Sequence, residues 1–222
     1  MTKVDAKVGL EPRADAAQVL SDWWTRPDSQ RTALWISEPY RIQVLKLWRK
    51  EFREKTEAPE RLLAAATFEQ TDLATEYERL FVGPAAVPCP PYEAVWRADR
   101  PKHEQGTVMG GSTLRMKQIY QHLGVQLRPG EVELPDHIAV ELEALSYAWR
   151  TDRLPQADAL IQLFRGWVPA FVGAVAANSR LGFYRELAEL TWEFFQHLEP
   201  RQISAGSHSS TTVVPLQSHE CS

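Results

Sequence analysis

The chain has 222 residues, 44% hydrophobic and 24% charged, with eight Trp, eight Phe and six Tyr, enough apolar bulk for one domain with a substantial core. A net charge of −4 and a pI near 5.9 argue against nucleic acid, which usually meets a basic face, and suit a basic peptide. Two cysteines, Cys89 and Cys221, exclude a disulfide framework and a four-cysteine zinc site.

The first residues, MTKVDAKVGLEPRADA, contain no apolar core of a secretory signal, and residues 1–12 read as an N-terminal extension. The longest apolar candidate, Val168–Ala177, is broken by Pro169 and Gly173 and falls short of the ~18 residues a membrane span needs, so no membrane insertion is expected. Cytoplasmic localisation follows as the default.

Periodicity then predicts helices almost throughout residues 13–199. Ile42, Leu45, Trp48 and Phe52 form one stripe; Leu62, Ala66, Leu73, Tyr77 and Leu80 form the next. That pattern, with Phe81, stops at Gly83-Pro84. Residues 82–101 hold five of the fifteen prolines, which makes Val87–Pro91 extended and stiff. Long loops in compact domains are uncommon unless they work or are disordered, and Tyr92 and Trp96 at its end argue for work.

Leu114, Ile119 and Leu123 mark a helix that opens at Ser112 or Thr113 and closes at Gly124. Val125–Leu134 is the best strand candidate, interrupted by the turn signal Pro129-Gly130. Ile138, Leu142, Leu145 and Trp149 give another helix. Leu160, Phe164, Trp167, Phe171 and Val175 follow, with Pro169 expected to kink or restart the chain. Phe183, Leu187, Leu190, Phe194 and Leu198 form the cleanest stripe. Residues 200–222 are Ser/Thr-rich and aperiodic, and read as a flexible tail. His208, His219 and Cys221 match no established metal spacing.

Asp136-His137 admits two readings. Asp136 caps the helix with His137 in its first turn; or Glu133, Asp136 and Glu141 crowd one polar edge, apart from the Ile138/Leu142/Leu145 stripe, and receive a guanidinium. His137 and Glu141 stand four apart but lack a third metal ligand by motif. Gly110-Gly111-Ser112-Thr113 opens a helix whose free N–H groups suit a phosphate, without the phosphate-loop pattern. Cys89-Pro90 is a weak haem-thiolate signal. No arrangement joins a nucleophile, a base and an oxyanion donor, so the chain is not read as an enzyme.

The segments EYERLFVGPAAVPCPPYEAVW (residues 76–96), MGGSTLRMKQIYQHLGVQL (109–127), ELPDHIAVELEAL (133–145), RGWVPAFVGAVA (165–176) and LGFYRELAELTWEFF (181–195) occur in order. Together they resemble the TorD/DmsD/NarJ family of redox-enzyme maturation chaperones, over about residues 60 to 198. The resemblance implies an all-α single-domain helical bundle with a long Pro-rich loop. It implies a cytosolic chaperone that binds the twin-arginine signal peptide, and part of the body, of a molybdopterin oxidoreductase precursor. It further implies no cofactor beyond weak guanine-nucleotide binding, and a monomer or a domain-swapped dimer. Carried over by motif, the peptide-binding positions are Tyr77, Leu80, Phe81, Pro91, Tyr92, Trp96, Gly110, Glu133, Asp136 and His137, with Glu141 added from the helix face. A guanine-nucleotide-binding helical protein and a structural subunit of a redox complex are the rival readings.

Overall fold

The structure, a computed structural model, describes residues 11–52, 57–65, 70–83, 86–98, 110–125 and 134–198. Among these the regular elements are all helical: α1 (Glu11–Trp24), α2 (Ser29–Ile36), α3 (Glu38–Phe52), α4 (Ala58–Ala65), α5 (Gln70–Tyr77), a π-helical turn (Glu78–Val82), α6 (Glu93–Trp96), α7 (Gly111–Leu123), α8 (Ile138–Arg150), α9 (Leu154–Arg165), α10 (Val168–Asn178) and α11 (Gly182–Gln196). The all-α expectation holds. The tail, most of the N-terminal extension, most of the strand candidate and Glu133 lie outside the described residues.

The bundle is organised around α8, whose most extensive neighbour is α1. The interior side of α1 carries small residues: Ala14, Ala16 and Ala17 are fully buried. Ser21 Oγ donates to the Ala139 carbonyl at 2.7 Å and fixes the register of the two helices. α11 packs on α10 and α4. Its whole predicted stripe, from Phe183 to Leu198, is buried. Trp24 Nε1 donates to Thr191 Oγ1 at 2.9 Å, which satisfies two buried polar groups across helices far apart in sequence.

Helix ends follow local chemistry. Gly124 closes α7 in the left-handed region, at φ 74°. α9 and α10 meet at a 50° bend, with Trp167 preceding α10 and Pro169 in its first turn, where a missing N–H costs nothing. The last turn before the proline loop widens to π geometry, and Gly83 N donates to the Glu78 carbonyl at 2.7 Å. Glu76 holds this turn to the α10–α11 link: it takes Arg79 Nε and Nη2 at 2.7 and 2.8 Å and Arg180 N at 2.6 Å.

Two predicted stripes rotate. In α3 the buried residues are Val44, Trp48 and Phe52, while Ile42 is exposed. In α7 they are Ser112, Thr113, Met116, Tyr120 and Leu123, while Leu114 points to solvent. Both helices carry apolar residues on more than one face, and neighbouring helices choose among them. The Leu62–Leu80 stretch divides into α4, α5 and the π turn. No single helix among the described residues is long and apolar enough to cross a membrane.

Candidate functional site

The proline loop is laced to the start of α8 by main-chain bonds. Cys89 N donates to the Leu80 carbonyl at 3.0 Å, which returns the loop to the π turn. Ile138 N donates to the Pro91 carbonyl and Glu93 N to the Asp136 carbonyl, each at 2.9 Å. These bonds flank an isolated antiparallel bridge between Tyr92 and His137. The Tyr92 backbone is extended, at φ −119° and ψ 130°, and continues the stretch that Pro90 and Pro91 impose on the residues before them. Trp96 Nε1 donates to the Pro90 carbonyl at 2.6 Å, tying α6 back onto the loop.

Of the sequence-predicted positions, Tyr77, Leu80 and Phe81 lie in the core. Phe81 meets Tyr77, Tyr184 and Trp24 at ring separations of 5.0, 5.3 and 5.9 Å. Pro91 is also buried, whereas Tyr92, Trp96 and Gly110 are partly exposed. The Tyr92 ring stands edge-to-face on His137 at 5.3 Å, and Trp96 stands edge-to-face on Phe171 at 5.9 Å. The structure therefore divides the aromatic set into interior rings and a half-exposed pair on the loop.

Asp136, His137 and Glu141 are fully buried. This corrects the expectation that Glu133, Asp136 and Glu141 crowd one polar edge apart from the Ile138/Leu142/Leu145 stripe: Glu133 lies outside the described residues, and the face of α8 left to solvent carries Glu143, Tyr147 and Arg150 instead. Asp136 is not the helix cap. His137 occupies the cap, and its Nδ1 accepts from Ala139 N at 3.1 Å. Asp136 Oδ1 instead accepts from the Thr113 hydroxyl at 3.0 Å and Oδ2 from Ala94 N at 3.3 Å. The Gly110–Thr113 turn thus commits its threonine hydroxyl inward.

Burial pushes the His137 imidazole down to about 3, so it is neutral across the physiological range. Burial, and then the neighbouring Glu93 and Asp136, hold the Glu141 carboxyl well above the usual carboxylate range. Glu141 faces the Trp167 indole and Glu93 without a hydrogen bond of ordinary geometry to either. Tyr120 seals the floor by donating to the Pro135 carbonyl at 2.6 Å. Cys89 is buried, and that burial raises its thiol to about 11, the state of a packing residue rather than a thiolate ligand.

Sequence reasoning missed Glu93. It is fully buried, and its Oε1 accepts from Arg97 Nη1 at 3.0 Å and Arg115 Nη1 at 3.2 Å. A signal was available: Glu93 and Arg97 stand four apart in PPYEAVWR, the spacing of a helical ion pair. Arg115 carried none, because it comes from α7 across the loop.

This junction of proline loop, α7 and α8 falls wholly inside the part of the chain that is recognisable among known proteins. Residues 46–173 match the model of the nitrate reductase delta subunit family, and the chain belongs to that family. Over 126 residues it is 29% identical to the Tat proofreading chaperone DmsD of Salmonella typhi, a stretch covering 56% of this chain and 59% of that relative. The DmsD of Salmonella typhimurium matches to the same extent, so the aligned stretch spans less than two thirds of either relative's length. The fold is similar to the crystal structure of a protein from Archaeoglobus fulgidus described as a redox enzyme maturation protein. Its TM-score is 0.57 and its identity 25%, over 83% of this chain and 93% of that one.

Proposed function

We propose that this protein is a cytoplasmic, non-enzymatic chaperone. It binds the twin-arginine signal peptide and apoprotein of a molybdopterin-dependent oxidoreductase and assists cofactor insertion, assembly and export. Membership of the nitrate reductase delta subunit family, and likeness to relatives named Tat proofreading chaperones, support this reading. The observation that carries it is that the matched residues enclose the whole junction of proline loop and α8, with Tyr92 and Trp96 half-exposed on a loop held by main-chain bonds.

A twin-arginine leader combines guanidinium groups with an apolar stretch. Ring faces at Tyr92 and Trp96 suit both, since a guanidinium over an aromatic ring contributes about 0.5–2 kcal/mol. Micromolar affinity requires about 8 kcal/mol, so several contacts act together and release remains feasible. Calorimetric titration with synthetic twin-arginine leaders of molybdopterin oxidoreductases from the source organism tests the reading. Micromolar binding to one of them is expected; absence of binding to all of them would overturn it.

A further inference from the structure

Resting on the chaperone reading above, we infer that Glu93 is the carboxylate that reads an arginine of the client leader, and that Arg115 occupies its place in the unbound protein. Two guanidinium groups of this chain converge on one oxygen of a fully buried carboxylate. The other oxygen, Oε2, is buried and accepts no hydrogen bond from the described residues. A carboxylate has room for about four hydrogen bonds and takes a guanidinium best through both oxygens in parallel. Glu93 therefore retains acceptor capacity of the geometry that distinguishes arginine from lysine.

The two resident arginines differ. Arg97 belongs to the same short stretch as Glu93, four residues on, and its side chain is 12% exposed. Arg115 reaches in from α7 with its side chain 43% exposed. Its guanidinium marks a route from solvent to a carboxylate that has no exposed surface of its own. A foreign guanidinium entering by that route, past the half-exposed rings of Tyr92 and Trp96, would exchange with Arg115 and leave Arg97 in place. The neighbouring acids do not compete. Asp136 has an internal donor on each oxygen, and Glu141 lies on the enclosed side between Trp167 and Glu93, without a hydrogen bond of ordinary geometry to either.

The test uses the full chain and two leader peptides, identical except that the paired arginines of one are lysines in the other. Arg115→Ala removes the resident competitor from an exposed position. It should tighten the arginine peptide severalfold more than the lysine peptide, which feels only the loss of one positive charge. Glu93→Gln should weaken the arginine peptide by about tenfold or more, the size of a lost charge-assisted hydrogen bond, and bring the two peptides level. Folding of each variant is checked by circular dichroism and thermal unfolding. If Glu93→Gln does not fold, the Arg115→Ala comparison decides by itself. Equal gains for both peptides in Arg115→Ala, or a full arginine preference retained in Glu93→Gln, would overturn the assignment while leaving the chaperone reading intact. Wild-type protein that binds neither peptide removes both.

Discussion

The Thr113 hydroxyl donates to Asp136 Oδ1 across 3.0 Å, joining the first turn of α7 to the turn that precedes α8. Both residues are buried, so this bond is an internal tie between two elements that flank the proline loop. Thr113→Val keeps the shape and removes the donor. It should cost about 1.5–3 kcal/mol, the range for a hydrogen bond to a charged group, read from urea unfolding. Asp136→Ala removes the acceptor of both the buried Thr113 hydroxyl and Ala94 N, and should cost more than Thr113→Val. An Asp136→Ala protein as stable as wild type would show that the acid serves something other than this tie.

His137 and Glu141 set opposite limbs of the stability profile. His137 titrates near 6.5 when unfolded but only at about 3 when folded, so stability falls as pH drops from 6.5 toward 3. Glu141 titrates near 4.5 when unfolded and well above that when folded, so stability falls as pH rises past 4.5 toward its folded value. Each slope reaches about 1.4 kcal/mol per pH unit, and the two oppose each other from 4.5 upward for as long as both groups titrate differently in the folded and unfolded chains. Glu141→Gln should flatten the alkaline limb, and His137→Asn, which can still cap the helix, should flatten the acid limb. Denaturant unfolding across pH 3 to 9 measures both, and a Glu141→Gln protein with the wild-type profile at every pH above 4.5 refutes the assignment.

The rings divide by role. Phe81 sits among Tyr77, Tyr184 and Trp24, and Phe81→Ala should cost about 3–5 kcal/mol of stability through the cavity it leaves. Tyr92 is half-exposed, and Tyr92→Ala should cost less stability while weakening leader-peptide binding in the calorimeter. Equal peptide affinity for Tyr92→Ala and wild type would remove the loop ring from the binding surface.

Gly124 tests a backbone effect without a packing effect. Its φ is 74°, and a Cβ built there meets nothing within 4 Å. Gly124→Ala should therefore lower stability by about 1–2 kcal/mol, the left-handed strain of one residue, and Gly124→Asn by less. Thermal unfolding resolves the pair.

Much of the bundle was legible from spacing. The stripes of α8 and α11 are buried as their periods require, Gly124 ends α7, Gly83 ends the π turn, and Pro169 restarts the chain at α10. The all-α class and the family resemblance follow from such segments, because helical period, caps and proline breaks are written within a few residues of chain. The burial of Asp136, His137 and Glu141 and the meeting of Arg115 with Glu93 were not written there. Those outcomes depend on which helices cover α8 and on a contact between residues 22 apart in sequence. The outward turn of Ile42 and Leu114 has the same origin. A helix with two apolar faces states its period but not its partner, and only the packed neighbours decide which side chains lose water and which charges share a cavity.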